Sequence, residues 1–138
     1  MNKMTKKCKI MRITRKKAPL VGEYNIEGQP LECVNVYKDL GLFTASGLSW
    51  NQHIDRITAK TNRVLGLVKR TCRDLNDVET MRTLYCSLVR PLLEYSCETW
   101  NPYTKRNIDK LEAVQRRATR WITRSDGDYG TRLSKLKL

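Results

Sequence analysis

The residues with most chemistry to offer in this chain are cations at helical spacing. Arg56, Lys60, Arg63 and Arg70 step along one prospective helix face, and Arg106, Arg117, Arg120 and Arg124 along another. Rows of this kind neutralise phosphates, which gives affinity for a nucleic-acid backbone without reading its bases. Asp126 and Asp128 form an Asp-x-Asp pair, a spacing that could offer oxygens to a divalent cation. They fall in a glycine-bearing turn after a basic segment, so they are expected to be loop carboxylates in contact with water. His53 is the single histidine and has no evident Ser or Cys partner. It is expected to border a packed helix end. The five cysteines, Cys8, Cys33, Cys72, Cys86 and Cys97, are odd in number and contain no Cys-x-x-Cys pair. A four-ligand zinc site would need distant cysteines brought together. They read instead as reduced thiols used as small apolar residues. No Gly-x-Ser-x-Gly, His-Glu-x-x-His or P-loop pattern is present. Neither a metal site nor autonomous catalysis is expected.

Composition agrees with the cations. The 27 basic residues outweigh 14 acidic ones, and the net charge of +13 is more than solubility asks for. A domain this basic attracts phosphate backbones or anionic membrane surfaces. No apolar run is long enough to span a bilayer, and Met1 to Lys17 lacks the apolar core of a signal peptide. The run from Lys6 to Lys17 could serve as a nuclear localisation signal. The expected location is intracellular, in the nucleus, the cytoplasm or both, with no membrane partner. A chain of 138 residues that is 40% hydrophobic can bury one modest core.

Elements to carry these residues follow from periodicity. Lys7 to Thr14 alternates basic and apolar residues and predicts a half-buried strand. Arg15 to Pro19 breaks it. Tyr24 to Ile26 and Leu31 to Val34 flank a turn over Glu27, Gly28, Gln29 and Pro30, which predicts a hairpin. Val36 to Phe43 predicts one strand with Gly41 inside it, at a bulge or a close backbone approach. After Ser46 and Gly47 the period becomes helical. Ser49 can cap a helix whose inner face is Trp50, Ile54, Ile57, Thr61, Leu65, Val68 and Cys72. Asn76 or Asp77 caps a second, with Met81, Leu84, Tyr85, Leu88 and Leu92 as its stripe. Pro91 should kink it near Ser87 to Arg90. Thr104 caps a third, with Ile108, Leu111, Gln115, Ala118 and Ile122 inside, widened by Val114 and Trp121. The fold class is therefore α+β, short antiparallel strands followed by roughly three helices. The expected divisions are 1–47, 48–124, and 125–138 as a linker leading into a truncated helix.

The blocks Tyr37 to Leu42 (YKDLGL), Leu48 to Ile54 (LSWNQHI) and Asn76 to Thr123, in this order, resemble one family. It is the reverse transcriptases of non-LTR, LINE-type (jockey-like) retrotransposons, over the end of the palm and the thumb. The resemblance covers nearly the whole chain. It implies that the catalytic aspartates lie upstream of Met1 and that Mg²⁺ belongs to the full polymerase, so the chain alone should be inactive. Lys7 with Cys8 matches the pair following the catalytic turn. A lysine there would act as a supporting general acid toward pyrophosphate, although Lys6 and Lys9 stand close by. Lys38, Asp39, Leu40 and Gly41 match the primer grip, a turn that holds the primer's 3′ end. The helices match a thumb, whose partners are RNA and an RNA–DNA template–primer duplex, together with the remainder of the polymerase. Two other classes share these residues: a stand-alone basic nucleic-acid-binding module, and a structural helical unit whose basic faces meet acidic proteins. Trp50, Trp100 and Trp121 read as core or hinge residues rather than base-stacking ones.

Overall fold

The computed structural model describes residues 7–14 and 16–138. Lys6 and Arg15 lie outside the described residues. The chain is α+β, with short paired strands ahead of the helices. It divides into two compact units, one ending at His53 and the other starting at Ile54. This boundary falls in the first turn of a helix.

In the first unit the strands are β1 (Lys9–Ile10), β2 (Asn25–Ile26), β3 (Gln29–Pro30), β4 (Glu32–Cys33), β5 (Val36–Asp39) and β6 (Leu42–Ala45). Of the expected strand from Lys7 to Thr14, only Lys9–Ile10 is paired. Its partner is β4 and the pairing is parallel, with Lys9 opposite Glu32 and Ile10 opposite Cys33. Parallel pairing needs a crossover, and the intervening β2–β3 hairpin supplies it. The side chains of Lys9 and Glu32 form an ion pair across this ladder.

The β2–β3 hairpin is tighter than the sequence suggests. Its loop is Glu27 and Gly28 alone, with Ile26 opposite Gln29. Both loop residues have positive φ, 50° and 75°, as a type I′ turn requires. The expected continuous strand from Val36 to Phe43 is instead a second hairpin. β5 turns through Leu40 and Gly41 into β6, with Asp39 opposite Leu42 and Lys38 opposite Phe43. Leu40 has φ 47° and Gly41 has φ 89°, so Gly41 is a turn residue and not a bulge. Ser46 N–H donates to the Asn35 carbonyl at 2.8 Å and extends the ladder by one rung.

The second unit carries most of helix α1 (Asn51–Thr71), then α2 (Val78–Leu84), a π-helical turn over Tyr85–Val89, α3 (Arg90–Glu94), α4 (Cys97–Trp100), α5 (Lys105–Thr123) and α6 (Tyr129–Leu136). The Ser49 hydroxyl accepts the Asn51 N–H at 3.3 Å ahead of α1. Asp77 caps α2 by accepting the Thr80 N–H at 2.9 Å. Thr104 occupies the N-cap of α5 but makes no side-chain cap bond. Its carbonyl takes the N–H groups of Asn107 and Ile108 instead, at 3.0 and 3.1 Å.

The core joins Leu65 and Val68 of α1 to Met81, Tyr85, Val89, Val114, Ala118, Ile122 and Leu136. The buried residues of the second helical run are thus Met81, Tyr85 and Val89 at four-residue steps. Leu88, expected in that stripe, is 48% exposed. Pro91 has no N–H, and the turn ahead of it is widened, which advances the inner face by one residue. Ile108, also expected inside, is 38% exposed, while Asn107 is buried. Residues 125–138 are a short turn followed by α6. Leu136 enters the core, and Arg82 Nε donates to its carbonyl at 2.6 Å. Arg132 is buried, and its guanidinium donates to the carbonyls of Ser125 and Gly127.

Candidate nucleic-acid interface

An amphipathic helix presents its charges opposite its buried face, and both long helices do so here. On α1, Leu65 and Val68 are buried, while Arg56, Lys60, Arg63 and Arg70 are exposed. On α5, Val114, Ala118 and Ile122 are buried, while Arg106, Arg117 and Arg120 are exposed, as is Arg124 directly after the helix. All eight expected contact residues therefore reach solvent.

A lysine outside this set joins the two helices. Lys69 of α1, absent from the expected set, donates from Nζ to the Arg117 carbonyl at 3.4 Å. Burial holds its ammonium below the ordinary lysine range, and the charges of Arg117 and Arg120 add to that effect. Lys69 thus ties α1 to the backbone of α5. Lys69 lies off the Arg56–Arg70 stripe, beside Val68, so spacing along α1 alone does not single it out.

Other basic residues have structural partners. Arg124 donates to the Leu75 carbonyl at 2.8 Å and ties the end of α5 to the loop after α1. Lys110 pairs with Asp55, linking α5 to α1. Arg116 pairs with Glu112 at 2.9 Å and also stands 5.1 Å from the Tyr129 ring centre.

The Asp126–Asp128 pair divides between two tasks. Asp126 forms an ion pair with Arg120 at 3.0 Å. Asp128 accepts the Thr131 N–H at 3.2 Å and caps α6. Among the described residues, no group of three or more His, Cys, Asp or Glu side chains gathers as metal ligands would. Cys72 and Cys86 pack against the core, whereas Cys8, Cys33 and Cys97 are exposed rather than used as core residues.

In the first unit, the Leu40–Gly41 turn forms the tip of the β5–β6 hairpin, and Leu40 is 83% exposed. Lys38 stands 5.6 Å from the Phe43 ring centre, across the ladder. The Phe43 N–H donates to Nδ1 of buried His53 at 3.3 Å, anchoring the hairpin to the start of α1. The Trp50 ring meets the imidazole edge-on, with centres 6.1 Å apart. Lys7 is exposed.

The second unit also has a cleft of about 280 Å³, lined by Tyr85, Leu93, Trp100 and Leu111 and by the Arg90–Glu94 ion pair. Desolvation there pushes the Tyr85 phenol up to about 12. Trp100 is buried and donates from its indole N–H to the Tyr95 carbonyl at 2.8 Å. Among the described residues, no helix is long and apolar enough to cross a membrane.

No protein-family model matches the chain, and no solved structure matches it. An aligned stretch of 105 residues, 73% of the chain, is 30% identical to an uncharacterized protein of Caenorhabditis elegans. The alignment covers 52% of that protein, so the chain spans about half the length of the curated relative it matches.

Proposed function

We propose that this chain is the palm-end and thumb part of a non-LTR retrotransposon reverse transcriptase, and that it grips a template–primer duplex through the phosphate backbone. The observation that carries the reading is the exposed basic face on each long helix, set opposite that helix's buried face. Each helix can hold its place in a packed unit while turning guanidinium and ammonium groups outward, where phosphates neutralise them without reference to sequence. The exposed Leu40–Gly41 turn adds support. A glycine at φ 89° lets backbone approach a sugar-phosphate chain closely, as a primer grip must. Nucleotide addition and its Mg²⁺ belong, in this reading, to the rest of the polymerase.

Filter binding of an RNA–DNA duplex across a salt series tests the proposal. Neutralising roughly four to six phosphates gives a slope of log K against log salt of about −4 to −5. A slope near zero, or tight sequence-selective binding, would remove the thumb reading.

A further inference from the structure

The cleft of about 280 Å³ in the second unit draws its lining from α3, α4 and α5, and its charge differs from that of the chain as a whole. The chain carries a net charge of +13. Among the described residues, one cation and two carboxylates line the cleft: Arg90, Glu94 and Glu112. Arg90 pairs with Glu94 at 2.6 Å, and Glu112 with Arg116 at 2.9 Å. Both acids are thus matched by a cation, and nothing in this balance favours an anion.

Part of the lining is apolar and fixed in place. Tyr85 and Trp100 are 1% and 2% exposed. The Trp100 indole N–H is held by the Tyr95 carbonyl at 2.8 Å. The rest is polar, because Asn101 and Gln115 add carboxamides to the Arg90–Glu94 pair. A hydrocarbon ligand would cover those polar groups without answering them, which costs free energy. A flat heterocycle has apolar faces and an edge of donors and acceptors, so it satisfies both parts at once. The volume lies at the lower end of the range for ligand sites, about 300–1,000 Å³, and suits one ring system.

We infer that this cleft takes a single nucleobase. Bases free of pairing are read in this way, by contact with their faces and hydrogen bonds to their edges. Pro102 and Ile108 belong to the lining, and Tyr103, Lys105 and Arg106, between them in sequence, are exposed. Cations next to the lining can hold the phosphates that flank an inserted base. An unpaired base in a bound strand and a free nucleoside share this chemistry. The strand form rests on the duplex-binding reading above, and the free form does not.

The test uses the full chain with three probes: an RNA–DNA duplex containing one unpaired 2-aminopurine, the same duplex fully paired, and adenosine alone. The unpaired base tightens binding by about tenfold, and its fluorescence changes as it leaves water. Adenosine shifts the Trp100 indole N–H resonance. Ile108 is 38% exposed, so Ile108→Trp fills the cleft from an exposed position, with the fold checked by circular dichroism. This variant loses the preference for the unpaired base and keeps the parent's paired-duplex affinity and salt slope. Gln115→Met keeps the side chain's size but offers no amide, and reduces the preference by about threefold. A preference that survives Ile108→Trp places the base elsewhere and overturns the cleft. Equal binding of both duplexes, with no adenosine shift, overturns the nucleobase site and leaves the duplex reading standing. An adenosine shift without that preference assigns the cleft to a free nucleoside. N-acetyltryptophanamide acting as well as adenosine overturns the inference in favour of an aromatic side chain from a protein partner. A parent chain that binds neither duplex removes the duplex reading, and adenosine alone then decides the cleft.

Discussion

The Tyr85 carbonyl accepts the N–H of Arg90, five residues on rather than four. That single widened turn sets which side chains of the second helical run face the core. Four-residue steps from Met81 through Tyr85 reach Val89, which is fully buried, and leave Leu88 48% exposed.

Val89→Ala should therefore cost about 2 kcal/mol, from two buried methyl groups and the space they leave. Leu88→Ala should change stability by about 0.5 kcal/mol or less. Thermal melts of the two variants decide between this register and an unbroken α-helix, in which Leu88 faces inward and the order of the costs reverses.

The place of this irregularity was legible in the sequence, because Pro91 must disturb the turn before it. Its form was not. A proline can kink a helix or widen a turn, and only packing into the shared core selects the arrangement that buries Val89. The same division holds elsewhere. The amphipathic faces of α1 and α5 follow from three- and four-residue steps. The hairpin at Leu40 was hidden because a leucine before glycine inside Val36 to Phe43 looks like more strand. Lys69 escaped because its importance comes from a neighbour on another helix, and periodicity within one helix carries no such information. The parallel pairing of Lys9–Ile10 with Glu32–Cys33 is likewise set by a crossover, which local alternation cannot reveal.

Leu40 occupies a left-handed conformation that L-residues with side chains adopt at a cost, φ 47°, at the first loop position of the β5–β6 turn. Leu40→Asn gives the asparagine–glycine pair that a type I′ turn favours. The exchange should stabilise the hairpin by about 1 kcal/mol. Slower amide exchange at Phe43 and Ser46 would report the gain. Faster exchange would mean that the leucine side chain, although exposed, holds the turn by a contact that asparagine cannot make.

Burial lowers the pKa of His53 below the ordinary value of 6.5. The folded state therefore favours neutral imidazole, whose Nδ1 accepts the Phe43 N–H. The sign follows from linkage: the unfolded chain binds the proton more readily, so this stabilisation is present above about 6.5 and is lost as pH falls below it. The Phe43 amide should exchange faster, relative to its intrinsic rate, as pH drops from 7 to 5. His53 is the single histidine, so His53→Asn, which keeps a side-chain acceptor but does not titrate here, should abolish the step. A step that survives the substitution would assign it to another group.

On a primed RNA template with dNTPs and Mg²⁺, the chain by itself should add no nucleotides. Phosphoryl transfer of this kind needs carboxylates that hold two metal ions. Asp126 is committed to Arg120 and Asp128 to the cap of α6. Incorporation that disappears in the double variant Asp126→Ala with Asp128→Ala would return the catalytic role to that turn. Incorporation that persists in it would mean other carboxylates do the work.

Helix α1 separates binding from folding on its two faces, which allows each to be changed alone. Arg56, Lys60 and Arg63 are exposed, whereas Leu65 is 3% exposed. Changing the three cations to Gln removes three charges and no core volume. Each change should move stability by about 0.5 kcal/mol or less. Duplex affinity should fall, and the salt slope should become shallower by up to about 3. Leu65→Ala should do the opposite, losing about 2–5 kcal/mol of stability while the folded fraction keeps the parent's slope. Circular dichroism melts and filter binding across the same salt series read both effects. If the triple Gln variant binds as the parent does, this face of α1 does not track a phosphate backbone, and the thumb reading loses its physical support.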